Sequence, residues 1–124
     1  MIWHGEVAPE ALPAQLSQAH VLVAVPDYES FGLTPFEAMA CGLDLICTDT
    51  GAFDQATAQG QEGALLAFGD VDALCAALEA CLVNPEATRA RGARNRERAV
   101  QSFSIAQEAA TVNALYHKLV VPRR

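Results

Sequence analysis

Apolar runs of strand length, alternating with segments of helical periodicity, predict an α/β fold with a short, mostly parallel sheet flanked by helices. Val21 to Val25 is continuous and β-branched without polar alternation, the pattern of a strand buried on both faces of a parallel sheet. Leu45-Ile46-Cys47 is a second short buried run, and Leu65 to Phe68 supplies a third strand. The 124 residues give room for one domain with one core, joined by right-handed crossovers.

In order, Ile2-Trp3-His4 is a short apolar start that ends at Gly5 and reads as a strand entering a loop. Pro9 to Ala19 follows as a helix with Leu12, Leu16 and Ala19 on one face. The next helix begins with Thr34 at the N-cap, Pro35 at the first helical position and Glu37 at the third, and Gly42 ends it. Thr48 to Phe53 is a turn-rich loop, and Asp54 to Glu62 is a polar stretch. Asp70 or Asp72 can cap a helix that runs to about Val83. Asn84-Pro85 breaks it, and Glu86 opens a helix carrying Arg89, Arg91, Arg94, Arg96 and Arg98, which reads as a solvated face. A last helix from Ser104 to about Leu119 is expected to bury Ile105, Ala109, Val112 and Leu115, with Tyr116 at the margin.

Composition removes several classes of function. With 52% apolar and 19% charged residues the chain is expected to be ordered. No apolar run reaches transmembrane length, and the start lacks a basic segment followed by an apolar core, so a cytoplasmic location is the default. Cys41, Cys47, Cys75 and Cys81 have neither metal-type pairing nor the density of a disulfide scaffold, and they read as small buried thiols. His4, His20 and His117 add no ligand spacing, so no metal site is expected. The net charge of −7 is unevenly spread: no Lys or Arg precedes Arg89, while thirteen of the fifteen acids do. That surface repels nucleic-acid phosphate and excludes duplex or single-strand binding.

The chemistry concentrates in Glu29 to Gly42, ESFGLTPFEAMACG. A strand, a tight turn and a helix start form a geometry that holds phosphate or sugar hydroxyls. Ser30, Phe31, Gly32 and Leu33 would offer backbone amides there, and Gly32 permits close approach because it has no Cβ. Thr34 can cap the helix and touch phosphate at once. The bland alternatives are definite. Glu37 completes a capping box for stability alone, Glu29 is a solvated turn acid, and the Phe31, Phe36 and Met39 side chains pack on the sheet.

This segment resembles the nucleotide-sugar site of retaining glycosyltransferases, glycosyltransferase family 4 within the GT-B fold. The likeness rests on Glu29, the Phe31-Gly32 turn and the Glu37-Ala38-Met39-Ala40 helix. It extends upstream through Gln18 to Val25 and Pro26-Asp27-Tyr28. Downstream it continues through Leu45 to Gly51, Gly63 to Leu78 with Asp70 and Asp72, and Phe103-Ser104. The resemblance implies a partial Rossmann-like sheet, the C-terminal part of a donor-binding domain, spanning residues 1–124. It implies that Glu29, the catalytic candidate, accepts hydrogen bonds from donor-sugar hydroxyls, while the Ser30–Leu33 turn and Thr34 meet sugar and diphosphate. Glu37 would bind the ribose hydroxyls, and the Thr50-Gly51 loop would border the donor sugar.

The implied reaction is retaining transfer of a hexose from a UDP, GDP or ADP sugar to a carbohydrate or lipid-linked acceptor hydroxyl, with no cofactor. The family's N-terminal acceptor domain and the Arg and Lys that grip the diphosphate have no counterpart in these residues, so the chain alone is expected to be inactive. If Ile2–His4 is the third strand of the doubly wound order and Val21–Val25 the fourth, the first and second are absent between them. An exposed strand edge follows, which leaves a marginal chain, a homodimer through that edge, or a piece of a longer protein. A non-catalytic nucleotide-sugar-binding or regulatory module is the alternative function, ahead of a related epimerase or phosphorylase. Asp44 stands where the family has proline, and Asp is a poor strand residue.

Overall fold

The computed structural model describes residues 1–120. Three parallel strands, β1 (Val21–Ala24), β2 (Asp44–Thr48) and β3 (Ala64–Leu66), lie side by side in chain order. Helix α1 (Leu12–Leu16) precedes them, α2 (Thr34–Ala40) crosses from β1 to β2, and the four-residue α3 (Phe53–Ala56) lies between β2 and β3. Helices α4 (Val71–Val83), α5 (Pro85–Ser102) and α6 (Ile105–Val120) complete the chain. The α/β architecture is therefore the expected one.

Register and side-chain alternation divide the sheet into two faces. Leu22, Leu45 and Leu65 fall on one face with Ala24 and Cys47, where Met39 of α2, Phe53 and Ala56 of α3, and Ala99 of α5 close a dry core. Asp44, Ile46 and Thr48 point to the other face, beneath α4. Central β2 is buried along its whole length, as a strand covered on both faces must be. A Cβ on Gly92 would collide with the Gly42 carbonyl, so α5 can approach the α2–β2 turn only because that residue is glycine.

Local chemistry explains the helix starts. Asp70 caps α4 by accepting from the Ala73 amide at 2.9 Å, which decides between Asp70 and Asp72. Asn84 caps α5 in the same way, accepting from Ala87 at 3.0 Å, with Pro85 at the first helical position. Thr34, by contrast, is not a cap. Gly32 at φ +81° turns the chain so that Leu33 already has helical dihedrals, and α2 starts one residue early with no side-chain cap bond.

Several expectations are corrected. Ile2–His4 forms no strand; among the described residues it has no neighbouring strand to pair with, and its side chains lie in solvent. Helix α1 spans only Leu12–Leu16 of the expected Pro9–Ala19. Strand β1 is not buried on both faces: it is an edge strand, and Val23 remains 43% exposed. Strand β3 starts at Ala64 and stops at Leu66, where the Asp49 amide donates to the Leu66 carbonyl, leaving Phe68 outside. Cys75 is exposed on α4, so the four free thiols are not all buried. Helix α6 forms where its period predicts, yet Ile105, Ala109, Val112, Leu115 and Tyr116 stay exposed, since no described element packs closely over that face. No described helix is long and apolar enough to cross a membrane.

The arginine helix is also more than a solvated face. Arg91 binds the buried Asp44 through Nε at 2.9 Å and Nη2 at 2.6 Å, joining α5 to the first residue of β2. Arg94 pairs with Glu62 at 2.9 Å, and Arg98 reaches the α3 carbonyls. Asp44 is thus accommodated in the strand by a charged partner and by the Leu45 amide on its Oδ1.

Candidate functional site

The Glu29–Thr34 turn leaves the carboxyl end of β1 and rests on the loop that leaves the carboxyl end of β2. The Glu29 amide donates to Thr50 Oγ1 at 3.1 Å, and the Ala52 amide donates to the Phe31 carbonyl at 2.9 Å. Thr48 Oγ1 donates to the Pro26 carbonyl at 2.7 Å, tying the same two strand ends one step earlier. Two bonds therefore fix the turn against the loop, and the third holds the strand ends from which both leave.

Packing fixes it further. A Cβ on Gly32 would overlap the buried Phe53 ring and come within 2.8 Å of Glu29 Cγ. A Cβ on Gly51 would lie 2.7 Å from the Phe31 carbonyl and 3.2 Å from Glu29 Cγ. Both glycines have positive φ, so backbone conformation and space exclude a side chain at each. Thr50-Gly51, weakly signalled in the sequence, is thus brought against Glu29.

The Glu29 carboxylate bends back over its own turn. Its Oε1 accepts from the Ser30 amide at 2.9 Å and from Ser30 Oγ at 3.3 Å, with the Phe31 amide at 3.4 Å. It is partly buried, with Ser30 and Thr34 exposed beside it. A ligand oxygen would have to displace this carboxylate to reach the Ser30 and Phe31 amides.

Phe31 and Phe36 divide the expected core role differently from Met39. Met39 is fully buried, whereas Phe31 is 53% exposed and stacks on Phe36 with ring centroids 5.7 Å apart. Phe36 meets Phe103 edge-on at 4.9 Å, so the three rings run from the turn to the start of α6. They line a groove of about 420 Å³ with Leu33, Gln55 and Gln107. Tyr28 is exposed beside the turn.

Glu37 lies one helical turn further on and is exposed. It lines a separate groove of about 360 Å³ between α1 and α2, where Arg96 of α5 also sits. The structure thus gathers Glu29 to Leu33 with Thr50 to Phe53, and sets Glu37 apart from them. Arg96 lines the same groove as Glu37 although the sequence separates them widely.

Electrostatics distinguish groups that stay fixed from those that can act. Burial pushes the Cys47 thiol up to about 12, which keeps it protonated and inert. The hydrogen bond with Asp44 raises the Arg91 guanidinium, holding it charged against partial burial. The pairings of Asp44, Asn95 and Arg98 escaped sequence reasoning because these partners lie 42 to 52 residues away. Their only sequence signal was an acid in a strand opposite a helix supplying cations.

Comparison with known proteins gives consistent results. Residues 1–98 match the family described as Glycosyl transferases group 1. The chain is 36% identical over 102 residues to the lipopolysaccharide core biosynthesis mannosyltransferase LpsB of Rhizobium meliloti (strain 1021), covering 81% of this chain and 29% of that protein. It is 30% identical over 126 residues to an alpha-maltose-1-phosphate synthase of Mycolicibacterium smegmatis, covering 96% and 33% respectively. The solved sucrose-phosphate synthase of Thermosynechococcus elongatus superimposes with a TM-score of 0.84 at 33% identity, covering 93% of this chain and 29% of that one. The chain therefore spans about a third or less of the length of these relatives. Its sheet and helices are of the partial Rossmann-like, GT-B type that the sequence resemblance implied.

Proposed function

Because this chain belongs to the glycosyl transferases group 1 family, we propose that it forms part of the donor-binding domain of a retaining, family 4 glycosyltransferase. The complete enzyme would move a hexose from a UDP, GDP or ADP sugar to a carbohydrate or lipid-linked acceptor hydroxyl. One observation carries the proposal: a positive-φ Gly32 turn, seated on the Thr50–Phe53 loop at the carboxyl ends of two parallel strands, opens into a helix.

Glu29 would turn to accept hydrogen bonds from donor-sugar hydroxyls, releasing the Ser30 and Phe31 amides that it engages in this structure, and the Ser30, Phe31, Gly32 and Leu33 amides would then face sugar and diphosphate oxygens, with Thr34 beside them. Glu37 would take the ribose hydroxyls. Charge on the departing diphosphate would be stabilised by aimed amides and by cations supplied outside these residues. No Lys or Arg precedes Arg89, so residues 1–124 would provide the ribose and sugar side of a donor pocket. Four free thiols support a reducing, cytoplasmic setting.

A binding-only module is the second reading, favoured by the Glu29 carboxylate being engaged by its own turn. Calorimetric titration with UDP, GDP and ADP and with their sugars tests donor binding, and heat from none of them would sink both readings. In the complete enzyme, Glu29→Gln should lower transfer about 10- to 100-fold, the worth of a hydrogen bond to a charged group. Unchanged transfer would remove Glu29 from the mechanism. Pairing of two copies along the outer edge of β1 is the proposed dimer, and concentration-independent sedimentation as a monomer would reject it.

A further inference from the structure

We propose that Arg98 is a positioning residue for the Glu29–Leu33 turn, acting through α3; the inference rests on the donor-site reading above. Arg98 projects from α5, about seventy residues downstream of the turn in sequence. Its Nη1 donates to the Ala56 carbonyl at 2.9 Å and its Nη2 to the Gln55 carbonyl at 2.9 Å. These are the last two residues of α3. A four-residue helix cannot hold itself in water, so its placement depends on such outside bonds. A cation at its C-terminal carbonyls is also electrostatically favourable.

Arg98 is itself fixed. Its Nη1 donates to Asn95 Oδ1 at 3.1 Å, and Asn95, fully buried, donates through Nδ2 to the Leu43 carbonyl at 3.1 Å. The α2–β2 turn, α5 and α3 are thereby connected by one chain of polar contacts. Phe53, the first residue of α3, lies under Gly32, while Ala52 just before it donates to the Phe31 carbonyl. Arg98 therefore sets the height of Phe53, and Phe53 sets the level of the turn amides. A lysine could reach one carbonyl but not make both bonds with one planar fork.

The test uses the ¹⁵N-labelled 124-residue chain, comparing the native protein with R98M and R98K. In R98M the amide resonances of Ser30 to Leu33 and Gly51 should move, while those of Ala73 and Ala87 at the caps of α4 and α5 stay in place. R98K should return the turn resonances part of the way. In titration, R98M should weaken binding of the nucleotide sugars about tenfold, the scale of one or two lost hydrogen bonds, while affinity for the bare nucleoside diphosphates, which engage fewer of the turn amides, falls less. Turn resonances that stay in place in R98M, or in R98K should R98M fail to fold, would overturn the proposal. Collapse of both variants would also overturn it, because Arg98 would then support the whole fold. The resonance test needs no ligand, so native chain that binds no donor would count against the donor reading and leave the coupling from Arg98 to the turn standing.

Discussion

The Glu29–Thr34 turn and helix α6 both carry exposed aromatic and apolar side chains, yet they are held very differently. The turn donates a hydrogen bond to Thr50 and accepts one from Ala52, packs Gly32 on Phe53, and is backed by α5 through Arg98. Helix α6 has a strong apolar stripe, and none of its described residues is buried. The difference separates two kinds of specification. Periodicity decides that a segment becomes a helix, whereas contacts distant in sequence decide whether anything holds it in place.

Substitution should widen that contrast. Phe53→Ala removes the buried ring beneath the turn and should cost about 3–5 kcal/mol in denaturant unfolding. Gly32→Ala, strained at φ +81° and overlapping Phe53, should cost about 3 kcal/mol or push the turn off its seat. A pH series probes the core side. The Cys47 thiol, held at about 12 against an ordinary 9.0, keeps its proton in the folded state where the unfolded chain releases it. Stability should therefore fall as pH rises from about 9 towards 12, and Cys47→Ala should flatten that decline. At the far end, Leu115→Ser on α6 should change stability by less than about 0.5 kcal/mol, and a larger loss would mean that α6 is packed after all.

The same contrast marks what could be read from the sequence. Runs such as Val21–Val25 and Leu45–Cys47 placed strands correctly because period and length are local properties. Burial was not local. Val23 and Leu115 are as apolar as Leu45, but they lie at an edge and on an uncovered face. The cap of α4 was legible in Asp70, whereas the start of α2 was misplaced by one residue because the backbone set by Gly32 prevailed over the hydroxyl of Thr34. In the candidate site, Glu29, the Phe-Gly turn and Glu37 could be found as an ordered motif. Their support could not be: Arg98 looks like a surface charge, and Asp44 like a misfit in its strand, until the fold brings each to its partner. Cations concentrated in one helix served as props for an acidic half that has none of its own.

The central claim is that the Ser30–Leu33 amides receive the sugar and diphosphate of a nucleotide-sugar donor. Titrating ¹⁵N-labelled chain with UDP, GDP and ADP hexoses and following each amide tests it most directly. The account predicts saturable shifts confined to Ser30–Leu33, Gly51 and the first turn of α2, with bare nucleoside diphosphates moving fewer of them. Shifts that bypass this turn and appear only along α6 or the α4 face, or no shifts with any donor, would contradict it.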